Sequence, residues 1–409
     1  MRRTIHAIHL SALLSLLGGA AAQARTDYYT SDFYTRGTDA ALYVDQGGVP
    51  DLYHVPLQDW SLLPRITLEA TKEDNYFLNE DEQSATIISL IPGAMLIYGR
   101  PEHNHLYTDV GLILPIYKDD DAIDTDPSYM ATAGGVYDTG RSTVHGRVGY
   151  RRTESTNTEL GERVVGDDVT GEIAVEHDVS QKTSLGLNGI FEDHAFDGDY
   201  VDYQRYYGAG RIYHSLTEKS DWFVQAGMGL DDVEDEVPGV TGDATFYDLS
   251  VGVLGKPSPK TSAFGRVGYR WRDYDDSEIE SVSGIVASLG AKATPFGFST
   301  FSAELLSDIR PDITGAGDST QDTRLIVGVQ RRLFSERLHG DASLLFGEVE
   351  YNGPDGSTQD NYWGYRLALD WWTLWEASVG LSYAYTNRDS DERADYESGL
   401  WTLRMSWNY

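Results

Sequence analysis

From about Pro64 onward the chain repeats one pattern, segments of roughly 10 to 14 residues in which apolar and polar side chains alternate. Period-two alternation puts successive side chains on opposite faces of a strand. Trp363, Tyr365, Leu367, Leu369 and Trp371 share one face of such a segment, as do Val379, Leu381, Tyr383 and Tyr385. Tyr247, Leu249, Val251 and Val253 repeat it, and so do Trp222, Val224, Ala226, Met228 and Leu230. Aromatics gather near the segment ends, where the interfacial girdles of a membrane barrel would lie.

The last segment is the clearest. Trp401, Leu403, Met405, Trp407 and Tyr409 fall on one face, and Thr402, Arg404, Ser406 and Asn408 on the other. An aromatic ending after such alternation resembles the signal read by the outer-membrane assembly machinery. The expectation is an all-β fold, a transmembrane antiparallel up-and-down barrel of about 18 strands in nine hairpins, with 16 as the alternative.

Connections alternate in kind. Short turns are expected near Arg100-Pro101, Thr139-Gly140, Ser180-Gln181, Glu218-Lys219, Pro257-Ser258, Pro295-Phe296, Ser335-Glu336 and Trp372-Thr373. Long polar loops are expected over 119–128, 156–167, 231–243 and 352–360. Two prolines, Pro92 and Pro115, fall inside consecutive strands, where each removes a ladder donor, so bulges or breaks are predicted there. The hexapeptide Gly146-Arg147-Val148-Gly149-Tyr150-Arg151 recurs at Gly265 to Arg270, three hairpins on, and reads as architecture.

Composition narrows the class. A mean hydropathy of −0.40 comes with no apolar run of the ~20 residues that a membrane helix needs. The longest candidate, 86–98, is broken by Pro92-Gly93. At the N-terminus Arg2 and Arg3, the apolar stretch Ile5 to Leu17 and the small-x-small site Ala22-Gln23-Ala24 read as a secretory leader, residues 1–24. Residues 25–63 do not alternate and are expected to form a periplasmic extension or partial plug; 64–409 is the barrel. The net charge of −33 excludes a nucleic-acid partner, whose phosphates need a basic face. Without cysteine there is neither a disulfide nor a thiolate metal site.

If apolar faces meet lipid, the opposite faces line the lumen. That places Arg147, Arg151, Arg205, Arg211, Arg266, Arg270, Arg324, Arg366 and Arg404 inside, with Tyr203, Tyr207 and Tyr213 sharing a face with Arg205 and Arg211. The chain holds 25 Arg against 7 Lys, and the planar guanidinium suits carboxylate or phosphate. Two readings stay open: contacts to an anionic or heavily hydroxylated polymer, or bracing of the wall through lumen acids such as Glu172, Glu176, Glu304 and Asp370. The acidic runs 119–121 and 231–236 lack the spacing of a calcium loop and are expected to be solvated, bridged to lipopolysaccharide by divalent cations. His145, His177 beside Asp178, and His194 beside Glu192 and Asp193 complete no catalytic constellation. No enzyme, cofactor or metal is expected.

The first hairpin carries a resemblance. Pro64-Arg65-Ile66-Thr67-Leu68 leads into Glu73-Asp74-Asn75-Tyr76, a polar loop, and Ser89-Leu90-Ile91-Pro92-Gly93. This resembles the β-barrel porins of exopolysaccharide biosynthesis operons. The resemblance implies an outer-membrane exit for a secreted polysaccharide, working with a periplasmic polysaccharide-export protein for which residues 25–60 would be a docking segment. The competing expectations are a general or solute-selective diffusion porin, and a plugged barrel acting as adhesin or scaffold.

Overall fold

The computed structural model describes residues 55–57 and 60–408, apart from 77, 79–82, 100–103, 120–125, 158–161, 199, 234–241, 277–278, 312–318, 354–355, 374–376 and 391–394. The leader, most of the 25–63 segment, the turn at Arg100-Pro101 and Tyr409 lie outside the described residues. So do Asp120 and Asp121 and the 234–236 part of the second acidic run.

A short strand, β1 (Val55–Leu57), pairs with the start of β2 (Trp60–Glu73), so the wall begins ahead of Pro64. Then follow β3 (Ala85–Gly99), β4 (His105–Lys118), β5 (Ser128–Asp138), β6 (Ser142–Asn157) and β7 (Glu162–Asp178). The middle of the chain gives β8 (Thr183–Phe196), β9 (Tyr203–Thr217), β10 (Ser220–Val233), β11 (Ala244–Ser258), β12 (Thr261–Tyr274) and β13 (Val282–Phe296). The last six are β14 (Ser299–Pro311), β15 (Ser319–Arg332), β16 (Leu338–Gly353), β17 (Gly356–Trp372), β18 (Ala377–Ser390) and β19 (Tyr396–Asn408).

Each strand pairs antiparallel with the next, and β19 returns to β2 in a ladder from Leu400↔Glu73 to Asn408↔Arg65. The result is a closed, 18-stranded antiparallel barrel made by β2 to β19. Closure matters because a backbone group left unpaired in hydrocarbon costs several kcal/mol, so only an edgeless sheet can span.

The faces sort as the alternation predicts. Trp401 (51% exposed) and Leu403 (42%) stand on the outside with Met405 and Trp407, while Thr402 between them is buried on the inside. Leu249, Val251 and Val253 are exposed on β11, and Asp248 and Ser250 are buried. Large apolar side chains outside and buried polar ones inside suit a protein whose outer solvent is lipid, where each such side chain gains about 1.5–3 kcal/mol over water.

Both prolines disturb the ladder. Ile88 pairs with Tyr117 but Ser89 with Pro115, which leaves Ile116 as an extra residue on β4. Opposite Pro92 the β3–β4 ladder lapses between Leu90↔Leu114 and Gly93↔Gly111.

Several predicted connections are corrected. The β6–β7 ladder runs on to Asn157↔Glu162 and the β16–β17 ladder to Gly353↔Gly356, so the expected loops 156–167 and 352–360 are largely strand. Backbone pairing continues where lipid ends and only the apolar side chains stop. On β9 to β12 the outward residues near these ends are Gln204, Asp232, Thr245 and Asp273. The turns expected at Pro257-Ser258 and Pro295-Phe296 close two residues later, after Ser258 and Phe296.

Inward-facing glycines are where neighbouring rings lie. Phe246 faces Gly229, Phe264 faces Gly290 and Tyr362 faces Gly347 directly across the ladder. A Cβ built on Gly290 would sit 2.0 Å from the Phe264 ring, and one on Gly347 2.0 Å from Tyr362. The missing side chain is the socket for the aromatic one.

Candidate functional site

The strands of the wall turn their polar faces toward a common interior. Every arginine expected inside lies on such a face. Arg205, Arg211, Arg266, Arg270 and Arg324 are buried, as are Tyr203, Tyr207 and Tyr213, whereas Arg147, Arg151, Arg366 and Arg404 are partly exposed.

Most of these arginines are held by acids. At the centre is Asp231 on β10, which accepts from Arg205 of β9 at 2.6 Å (Nε to Oδ1) and 3.0 Å (Nη2 to Oδ2), and also from Arg272 of β12. Asp308 of β14 accepts from Arg270 at 2.7 Å and from Arg310 at 3.1 Å. Phe246 of β11 lies between the two sets, with the Arg205 and Arg270 guanidiniums 5.2 and 4.8 Å from its ring centroid and Tyr207 stacked at 5.9 Å. Arg211 donates to Gln225 at 2.5 Å, and Gln225 donates to Tyr207 at 2.7 Å. Charge-assisted bonds of this kind, shielded from water, fix side chains firmly.

Elsewhere Arg151 pairs with Asp168 at 2.7 Å, Arg404 with Glu69 at 2.5 Å and Arg147 with Glu172 at 3.7 Å. Arg324 lies 4.0 Å from Asp322, and Arg388 is bonded to Asp360. Of the bracing acids read from sequence, Glu172 takes that role directly. For Glu304 and Asp370 no ion pair with an arginine within 4.0 Å is found among the described residues.

The repeated hexapeptide shows how a neighbour decides the partner. Arg151 faces Asp168 across the β6–β7 ladder, but Arg270 faces Gly284 on β13 and so reaches over it to Asp308 on β14.

Sequence reading missed Asp231, Arg272, Arg310 and Arg388. The acids of 231–236 read as a solvated loop, yet Trp222, Val224, Ala226, Met228 and Leu230 set the phase of β10, and one further step turns Asp231 inward. Trp271 does the same for Arg272. His194, which in the sequence completes no catalytic constellation, has its Nδ1 2.6 Å from Asp168 on β7, and its Nε2 lies 3.8 Å from Glu192 Oε2. In the first acidic run, Asp119 accepts a hydrogen bond from the Thr86 N–H at 3.0 Å, which holds its carboxyl below the usual range.

The match to known proteins is decisive for the class. Residues 57–407 match the family described as "Putative beta-barrel porin 2". The chain belongs to that porin family. It is therefore an outer-membrane channel protein and not an enzyme. No curated protein matches significantly.

Among solved structures, the Pseudomonas aeruginosa porin OpdK with vanillate is similar at 11% identity and a TM-score of 0.49, over 86% of this chain and 100% of that one. OpdO of the same organism gives 12% and 0.47 over 87% and 99%, and OccAB4 of Acinetobacter baumannii 9% and 0.47 over 85% and 98%. Similarity at this level says nothing about substrate.

Proposed function

We propose that this porin is the outer-membrane exit for a secreted exopolysaccharide, working with a periplasmic export protein. The observation that carries the reading is the first-hairpin sequence, 64–68, 73–76 and 89–93, with its resemblance to porins of exopolysaccharide operons. The interior is compatible with such a cargo. Hydroxyl and charged groups line it, among them Thr67, Ser343, Ser382 and Ser406, and a barrel of this strand number is wide enough to hold water.

A second reading has its own support. The partly exposed pairs Arg65–Asp109 and Arg404–Glu69 leave an interior of mixed sign, as a diffusion porin for small solutes would have. Deletion of the gene separates the two. Under the export reading, secreted polysaccharide falls while small-solute uptake is retained. Normal secretion with lost uptake contradicts it.

A further inference from the structure

The interior is not the same all round. Among the inward side chains of β9 to β14 a set of large ones is closed upon each other: Tyr207, Tyr213, Phe223, Phe246, Arg205 and Arg211 are all buried. Even small groups on this wall are covered, with Ser288 at 0% and Ser250 at 2% exposure.

From β16 through β19 and the β19–β2 seam to β6 several inward positions differ, although Thr402, Ala368 and Tyr107 stay buried. Ser343, Ser382, Ala384, Thr67 and Ser406 are small and partly exposed, and inward Met130 of β5 is 39% exposed. The ion pairs contrast in the same way. Arg65–Asp109 has side chains 30% and 25% exposed and Arg404–Glu69 26% and 16%, against 1% and 0% for Arg205–Asp231.

We infer that the permeation path runs along the β16–β19 and β2–β6 wall, and that the arginine-rich β9–β14 wall is a packed buttress that solute does not touch. The path's charged landmark is Arg366 on β17. It makes no hydrogen bond and no ion pair within 4.0 Å among the described residues, and its Nε and Nη1 have no hydrogen-bond partner there. Asp341, Asp370, Glu69 and Arg404 surround it. Those two nitrogens are covered as well as unpartnered, so what Arg366 offers beside the hydroxylated lane is its positive charge, which suits a hydrated, hydroxyl-rich solute bearing carboxylates. Toward the far end of this wall Tyr362, Arg388 and Tyr396 are buried, so the lane narrows there.

The inference rests on the barrel conducting, and it is independent of which cargo is exported. The absence of cysteine gives a silent background for thiol chemistry. Ser382→Cys, Ala384→Cys, Ser250→Cys and Ser288→Cys channels would be recorded in planar bilayers before and after a charged methanethiosulfonate, with heat-modifiable migration confirming that each has folded. Conductance is expected to drop in the Ser382→Cys and Ala384→Cys channels and to stay unchanged in the other two. A drop confined to Ser250→Cys or Ser288→Cys, equal drops in all four, or no drop in any conducting variant overturns the path. Should one buried-site variant not fold, the other and the two lane positions still decide. Arg366→Gln is expected to shift the reversal potential toward cation preference, and an unmoved potential removes Arg366 from the path. If the gene's deletion leaves secretion intact, the export reading fails while this thiol pattern stands.

Discussion

Asp231 carries two guanidiniums in a place that water does not reach, and its removal strands both. Breaking a buried pair by deleting one partner costs about 3–5 kcal/mol, because the remaining charge stays desolvated. Asp231→Ala is therefore expected to lose stability on that order in urea unfolding from lipid vesicles, whereas a loss under about 1 kcal/mol would show that the Arg205–Asp231–Arg272 bridge is not formed. Gly290 gives a steric counterpart. A methyl there meets the Phe264 ring, so Gly290→Ala should cost about 1–3 kcal/mol, the usual range for overfilling a packed site. Adding Phe264→Leu should recover part of that loss, and no recovery would mean that the ring is not the obstacle. At this scale the sequence told which residues face inward, since apolar neighbours such as Leu230 and Trp271 set the phase. It did not tell who pairs with whom. Arg151 and Arg270 stand in identical hexapeptides, and only the residue across the ladder, Asp168 or Gly284, separates their partners.

Strands were legible wherever lipid imposes alternation, and less so beyond it. The β6–β7 and β16–β17 ladders continue through polar residues that read as loops, because hydrogen bonding between strands leaves no mark on side-chain hydropathy. The outer face should therefore divide by depth. Val251, outward and mid-strand on β11, faces hydrocarbon, and Val251→Arg is expected to destabilise the barrel by about 2–4 kcal/mol, the cost of a cation at the bilayer midplane. Thr245, outward near the far end of the same strand, should accept Arg for about 0–1 kcal/mol. Equal costs at the two positions would show that the membrane band is drawn in the wrong place.

Taken whole, the molecule is a closed wall with one side filled. The filling explains a mismatch between sequence and site: the arginines that look most like a binding surface, Arg205 and Arg270, are those most completely engaged by acids and rings. Arg366, one among nine on the same footing in the sequence, stands out only when the partners of the others are known. Sequence periodicity reaches the barrel and its two faces. It cannot reach the lopsided interior, which follows from side-chain volumes summed across strands far apart in the chain. The most direct test of the central claim, that an aqueous path remains beside the packed wall, is single-channel recording of the purified barrel in a planar bilayer. Discrete, reproducible conductance steps are predicted, and a folded, inserted barrel that passes no current would contradict the account.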